Sequence, residues 1–418
     1  MDDKRSKILS VPLSIFRSSW IFFIVPVVVL SETASLIVRS KASVGSKLGG
    51  GGGVFLGVAI LAIFGVFAWF AILNQKTSEK KEILGGDDDS FIEKVPKFQY
   101  EELTLATNNF SSVLGRGGSS CVFKGTLREG TCVAVKRTMQ GQEHGKREFQ
   151  AELAGIMRLN VQNANIVQLL GYCVVPRGPR FLIYEFIPNG SLDSWIFPHK
   201  HNGNQPRGCL PLKSRYKVAI DVAKALSYLH NARILHLDVK PENILLDSSF
   251  QALVSDFGLA ELMGEIEGSI VVKRVRGTRE YLAPEWILQG RVSAKTDVYS
   301  YGMLLLEMIG GQRNIRKHDD IKRWEYFPKI VFDKMKAGKL LEALDKRLMD
   351  KTVDENVVRK LAYVALWCVQ EKIKLRPNMA QAIDMLEGRL PVNEPPETEM
   401  FFLDLLVIQG KASVVRTV

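Results

Sequence analysis

The chain has 418 residues, 46% hydrophobic and 24% charged, which excludes a disordered or low-complexity protein and leaves room for a two-lobed domain with accessory segments. Its net charge of +11 carries no basic patch interleaved with aromatic rings, so it reads as solvated surface and implies no nucleic-acid partner. Five cysteines, an odd count confined to positions 121, 132, 173, 209 and 368, exclude a disulfide scaffold and read as free thiols in a reducing compartment.

In chain order, Lys4, Arg5 and Lys7 precede an apolar run from Trp20 to Leu30 that Pro26 interrupts. Those 11 residues suit the core of a signal peptide better than a membrane span, although a signal-anchor stays open. Residues 1–35 are read as one or the other, and 36–53 as a short extracytoplasmic segment with the flexible run Gly49–Gly53. Val54–Leu73 is 20 residues without a charge, long enough to cross a hydrocarbon core, and is predicted as a transmembrane helix. Arg39, Lys41 and Lys47 on one flank balance Lys76, Lys80 and Lys81 on the other, so charge does not set the orientation. Residues 74–109 read as a juxtamembrane linker whose lysines can meet anionic lipid head groups, diluted by Glu79 and Glu82.

Next comes Leu114-Gly-Arg-Gly-Gly-Ser-Ser-Cys-Val-Phe-Lys-Gly125. Gly115 and Gly117 let backbone N–H groups approach a phosphate with no Cβ in the way. An apolar strand, a turn at Glu129-Gly130 and a second strand ending Val133-Ala-Val-Lys136 follow. A lysine closing an apolar strand needs a carboxylate partner. The stretch 146–157 supplies one on a predicted helix, where Phe149, Leu153, Ile156 and Met157 form a stripe bordered by Glu152, with Glu148 one turn earlier. Val218, Ala219, Val222, Ala223, Leu226 and Leu229 predict a second helix.

Behind that helix runs Ile234-Leu-His-Leu-Asp-Val-Lys-Pro-Glu-Asn-Ile-Leu-Leu246, then Asp256-Phe-Gly258. It gathers an acid, an ammonium, an amide and a second acid, the set that phosphoryl transfer requires. Gly277-Thr-Arg-Glu-Tyr-Leu-Ala-Pro-Glu285 follows, with Lys295-Thr-Asp-Val-Tyr-Ser-Tyr-Gly302 and Leu375-Arg-Pro377 beyond.

These motifs, each present once and in order, resemble the eukaryotic protein kinases over roughly Phe110 to Leu390. Phe98-Gln-Tyr-Glu-Glu-Leu-Thr-Leu-Ala-Thr-Asn-Asn-Phe110, Tyr-Leu-Ala-Pro-Glu-Trp286 and Leu-Trp-Cys-Val-Gln370 resemble the plant receptor-like kinases related to Pelle. The wording His-Leu-Asp-Val-Lys-Pro-Glu-Asn is most similar to the S-domain, lectin-type members.

The resemblance implies an α+β bilobal domain over 110–390, hinged near 185–189, with a tail over 391–418. It implies an ATP site from Leu114, Gly115, Gly117, Val122, Ala134, Lys136, Glu152, Glu185 and Ile187, with Tyr184 as gatekeeper. Asp238 would orient and deprotonate the substrate hydroxyl, Lys240 would stabilise the transferred charge, and Asn243 and Asp256 would hold Mg²⁺, or Mn²⁺ in its place. His236, Phe257, Thr278, Glu285, Asp297 and Arg376 would support the site, Arg376 as the cation for a buried Glu285. Gly277–Glu285 would be the substrate-docking segment, and Lys240 together with its Thr278 forms the serine/threonine pattern. The implied partners are protein substrates, the bilayer, and other receptor kinases or co-receptors. ATP chemistry then places the domain in the cytosol, on a single-pass protein of the plasma membrane. The outer segment, without cysteine, is too short to fold alone, so the expectation is a receptor kinase lacking a folded ectodomain.

Departures also stand out. Leu237 replaces the arginine that normally precedes the catalytic aspartate and pairs with a loop phosphate, and the loop 269–278 has few hydroxyls. The expectation is a kinase that is constitutively competent or controlled by partners. Ser120 stands at the third glycine position and Asn163 replaces a common histidine, but neither removes a catalytic group. A weak pseudokinase or scaffold subunit is the alternative.

Overall fold

The computed structural model describes residues 95–397 apart from 119, 139–142, 160–162, 199–207, 264–267, 273–274, 319–322 and 350–352. The predicted signal peptide or anchor, outer segment, transmembrane helix and most of the linker lie outside these residues, as does the tail beyond 397. Among the described residues no helix is long and apolar enough to cross a membrane. All of them belong to the compact unit from Lys80 to Val418.

Alternating side chains build the smaller lobe. Strands β1 (Val113–Arg116), β2 (Ser120–Thr126), β3 (Cys132–Thr138), β4 (Leu169–Val174) and β5 (Arg180–Glu185) form an antiparallel sheet in the order β1-β2-β3-β5-β4. Strand β5 is buried on both faces, as its unbroken apolar run requires. Phe181 and Ile183 join Val133, Val135 and Leu103 on one side, whereas Leu182 and Tyr184 join Phe149 and Leu153 on the other. Phe149 and Leu153 come from helix α2 (Glu143–Met157), where their spacing of four residues puts them on one face.

Residues 97–109, read from sequence as the end of the linker, pack on this lobe. Lys97 bridges to Tyr172, and Phe98 N donates to Tyr172 O at 2.9 Å. Helix α1 (Tyr100–Ala106) buries Leu103, and Phe110 stacks on Phe181 with centroids 5.5 Å apart. The apolar side chains of this stretch cover one face of the sheet, which its polar neighbours hid in sequence. Gly171 leaves the space for Phe98: a Cβ there would stand 2.3 Å from the Phe98 ring.

The larger lobe is helical: α3 (Asp193–Ile196), α4 (Leu212–Asn231), α5 (Pro284–Gln289), α6 (Ala294–Gly310), α7 (Phe327–Lys336), α8 (Glu355–Cys368) and α9 (Met379–Glu387). Helix α6 is buried all round from Thr296 to Ile309, as its apolar composition demands. A Ser293–Thr296 capping box starts it, and Gly311 at φ 61° stops it. It lies so close to α8 that a Cβ on Gly302 would come 2.7 Å from Cys368 Cβ.

Short antiparallel pairs carry the functional loops. They are β6 (Ile234–Leu235) with β9 (Glu261–Leu262), β7 (Ile244–Leu246) with β8 (Ala252–Val254), β10 (Ser269–Val271) with β11 (Arg291–Ser293), and β12 (Ile315–His318) with β13 (Arg323–Tyr326). Strand β6 hands the chain to His236, β7 takes it from Asn243, and β8 releases it before Asp256. The two-lobed α+β arrangement expected from sequence is therefore present, and all five cysteines are free thiols.

Candidate active site

Lys136 sits in β3, where the sheet register sets it opposite Val122 of β2 and Leu182 of β5. Its ammonium donates to Glu152 of α2 at 2.8 and 3.0 Å and to Asp256 at 2.6 Å. Three elements thus converge on one cation. Burial disfavours the Lys136 charge, but Asp256 and Glu152 outweigh it and push the ammonium pKa up. Burial would likewise raise Asp256, yet Lys136 overrides it and holds that carboxyl down at about 2. Glu152, 1% exposed, is raised by its burial against the pull of Lys136. Tyr184 donates its hydroxyl to Glu152 Oε1 at 2.6 Å, a contact that sequence reasoning missed. No periodicity signals it, because the two residues lie on a strand and a helix packed face to face.

The other nucleotide-site candidates share this sheet. Gly115 pairs with Val122 across β1 and β2, and Ala134 lies between Lys124 and Tyr184. Gly117 N donates to Ser120 O at 2.8 Å, closing the glycine turn, and Leu114 is 37% exposed beside it. At the end of β5, Glu185 accepts from Gln168 N at 2.8 Å, and the chain turns through buried Ile187 into the larger lobe.

A second convergence surrounds Asp238. Lys240 donates to Oδ2 at 2.6 Å, Asn243 Nδ2 to the same oxygen at 2.9 Å, and Thr278 to Oδ1 at 3.1 Å. Lys240 also reaches Thr278 Oγ1 at 2.9 Å, which ties the docking segment to the acid. Below, His236 Nδ1 accepts from the Asp238 N–H at 3.2 Å while Nε2 contacts Ser255 O at 3.0 Å, so the ring is the Nε2–H tautomer. Its ring lies 5.2 Å from that of Phe257.

Asp297 of α6 braces the loop from beneath. It accepts from His236 N at 2.9 Å, Leu237 N at 2.8 Å and His230 Nε2 at 2.9 Å. Burial pushes its carboxyl up, but His230 and the backbone donor at His236 outweigh that and hold it below its ordinary range. This bracing matters because Leu237, whose N–H it holds, has φ 64°, a conformation costly for a residue with a Cβ. Farther out, Arg376 donates to both oxygens of Glu285 at 2.7 and 2.9 Å and to Lys295 O and Gln370 O. The pair is buried and fully hydrogen-bonded, the condition for keeping such charges in a core.

Leu237 belongs to a cluster that sequence reasoning did not anticipate. With Leu235, Leu282, Trp286 and Val292 it forms an apolar core against which Ile270 and Val272 pack. The docking segment is thus held by apolar burial and by the β10–β11 pairing.

The metal candidates fit a hard cation. Asn243 uses Nδ2 to bond Asp238, which leaves its carbonyl oxygen, and Asp256 has a second carboxylate oxygen beyond the one on Lys136. Among the described residues no three His, Cys, Asp or Glu gather as a metal site. A cation bound by these two oxygens would complete its shell from phosphate and water, as Mg²⁺ characteristically does.

Residues 109–386 match the protein kinase domain family. The chain is 48% identical over 397 residues to an Arabidopsis thaliana protein named "Probable receptor-like protein kinase", covering 89% of this chain and 87% of that one. Two G-type lectin S-receptor-like serine/threonine-protein kinases of the same plant are 44% and 42% identical over 319 and 323 residues. The alignments cover 75% and 76% of this chain but only 38% and 36% of theirs. The chain thus belongs to the protein kinase family and is homologous to the plant receptor-like kinases.

Proposed function

We propose that this chain is a membrane-anchored serine/threonine protein kinase that transfers the γ-phosphoryl group of ATP to protein hydroxyls, its own included. The observation that carries the reading is the double convergence, Lys136 on Glu152 and Asp256, and Lys240, Asn243 and Thr278 on Asp238. In this reading Lys136 holds the α- and β-phosphates and is itself kept in place by Glu152. Gly115, Gly117, Val122, Leu114 and Ala134 enclose the nucleotide, whose adenine edge meets the backbone of Glu185 and Ile187. Asp238 orients the incoming hydroxyl and accepts its proton. Lys240 lies beside that oxygen to stabilise negative charge on the transferred group, and Thr278 fixes the angle between the two. Asn243 and Asp256 hold Mg²⁺, with Mn²⁺ as a substitute; the metal neutralises phosphate charge when bound.

Serine/threonine selectivity is supported by Lys240 and its bond to Thr278, and by the printed names of the lectin-type relatives. The membrane anchor is supported by the uncharged run Val54–Leu73 and by kinship with receptor-like kinases. It implies the order 1–35 signal or anchor, 36–53 outside, 54–73 spanning and 74–109 inside, ahead of the catalytic domain at 110–390 and the tail 391–418. The partners would be protein substrates, the lipid surface and other receptor kinases. Leu237 makes the catalytic loop a type that lacks the phosphate-binding arginine, so competence would not wait for loop phosphorylation.

The test is autophosphorylation by the full chain in lipid nanodiscs with γ-labelled ATP and Mg²⁺. Labelling is expected in the wild type and lost in both Lys136→Met and Asp238→Asn. Undiminished labelling in either variant would overturn the assignment.

A further inference from the structure

Among the described residues, a knot of charge apart from the two convergences on Lys136 and Asp238 is centred on Arg313, two residues beyond the Gly311 cap of α6. Its guanidinium donates to Tyr281 Oη at 2.9 Å, bonds Glu242 Oε1, and lies 3.6 Å from Glu307 Oε2. Its plane sits 4.1 Å from the Phe197 ring centroid. Tyr281 in turn donates to Glu307 Oε2 at 2.5 Å, and Asn314 N donates to Glu307 Oε1 at 3.0 Å. Asp193, 3% exposed, also feels both Glu242 and Arg313.

Two of these partners adjoin the reacting atoms. Glu242 lies in the turn Pro241–Asn243, between Lys240 and Asn243. Tyr281 closes the turn Arg279–Tyr281, which begins just after Thr278. Arg313 therefore clamps the catalytic-loop turn and the docking segment to Glu307 of α6. The knot is incompletely satisfied: Glu242 Oε2 and Arg313 Nε are buried without a hydrogen-bond partner. Yet its rim reaches solvent, with Arg313 16% and Glu242 24% exposed. An acidic slot beside the docking segment is thus occupied by a cation from the same chain.

Resting on the kinase reading above, we propose that Arg313 is a positioning and selectivity residue. It fixes Tyr281 and the Pro241–Asn243 turn relative to Asp238, and it fills a slot that would otherwise receive a basic side chain of the protein substrate. Charge supports this assignment. Burial, only partly opposed by Arg313, pushes the Glu307 carboxyl up to about 8, so near neutral pH it keeps its proton and Glu242 is the acid that balances Arg313. While Arg313 is in place, the Glu242 carboxylate in that slot is already engaged by a guanidinium of the same chain.

The test uses the full chain and serine peptides in which one arginine is moved through the positions flanking the serine, against alanine at the same position. In the wild type, kcat/KM should change less than about threefold wherever the arginine stands, under 1 kcal/mol on the usual scale. Arg313→Ala should lower kcat/KM for the alanine peptides about tenfold, chiefly through KM. One arginine position should then gain about tenfold over its alanine partner, and Glu242→Gln added to Arg313→Ala should abolish that gain. Arg313→Lys should keep wild-type indifference with most of the activity.

A folded Arg313→Ala protein that loses activity equally on every peptide would reduce Arg313 to a structural role and overturn the proposal. So would a wild type that already prefers arginine at one position and loses that preference in Glu242→Gln, a result that requires no folded Arg313 variant. Failure of the wild type to phosphorylate any peptide or itself would instead sink the kinase reading.

Discussion

Tyr184 Oη lies 2.6 Å from Glu152 Oε1, and Glu152 is the carboxylate that holds Lys136. The phenol is buried and raised well above its ordinary pKa, first by that burial and then by Glu152 beside it, so it remains a donor. Removing it leaves a buried carboxylate short of one hydrogen bond, a loss of about 1–3 kcal/mol. Tyr184→Phe is therefore expected to lower kcat/KM for ATP roughly 5–150-fold, the factor for 1–3 kcal/mol. Steady-state kinetics alongside thermal melts would check this. An unchanged kcat/KM in a folded variant would show that Lys136 alone positions Glu152.

Leu237 stands where a phosphate-binding arginine is usual, 3% exposed and with φ 64°. Apolar burial replaces an ion pair here. Truncating it removes contacts from the cluster of Leu235, Leu282, Trp286 and Val292, and such changes cost about 2–5 kcal/mol. Leu237→Ala should lose that much stability in denaturant and expose the segment 269–293 to protease first. Phosphatase treatment of the wild type should leave initial activity within about twofold, a difference under 1 kcal/mol. A large loss after dephosphorylation would show that the segment depends on phosphate after all.

The stretch before β1 is held by a close approach: a Cβ on Gly171 would stand 2.3 Å from Phe98 Cε2 and 2.6 Å from Pro96 O. Gly171→Ala should displace residues 96–98 and destabilise the lobe by about 1–3 kcal/mol, the usual cost of overpacking. Because the clash is mainly with one ring, Phe98→Ala combined with Gly171→Ala should cost less than the sum of the two single changes. Hydrogen exchange at Phe98 N and Tyr172 N would report it directly, since both bonds cross this contact. Strict additivity would argue that Phe98 does not anchor the segment.

What the sequence made legible were contacts carried by contiguous motifs. The stripe Phe149, Leu153 and Ile156 announces a helix because its spacing matches the helical period, and the helix then narrows the partners of Lys136 to Glu148 or Glu152. The loops bearing Asp238 and Asp256 were legible because each is a contiguous motif, Ile234–Leu246 and Asp256–Gly258, whose residue types announce the chemistry. Contacts between distant side chains left no trace unless the resemblance paired them, as it did Glu285 and Arg376. Tyr184 and Glu152 are 32 residues apart, Arg313 and Glu242 71, and neither pair follows from any period. The β10–β11 pair was hidden because three-residue strands are too short to show alternation. The packing of the linker's end on the sheet was hidden because Phe98, Leu103 and Phe110 are spread among polar residues.

Glu307 gives a pH signature specific to the docking segment. It is 0% exposed and faces Tyr281 Oη, Arg313, Glu242 and Asn314 N, and burial is the largest influence raising its pKa from 4.5 to about 8. Between those values the folded protein holds a proton that the unfolded chain has released. Stability from this group is therefore fully present below about pH 4.5 and is lost as pH rises through about 8. Glu307→Gln keeps the shape and a donor but cannot ionise, so its stability should not share that slope. Melting temperatures measured from about pH 5 to about pH 9 should fall more steeply in the wild type than in Glu307→Gln, with the two curves parallel again above the folded pKa. Curves parallel throughout would mean that Arg313 keeps Glu307 ionised across the range, and the clamp on Tyr281 would then be an ion pair and not a shared proton.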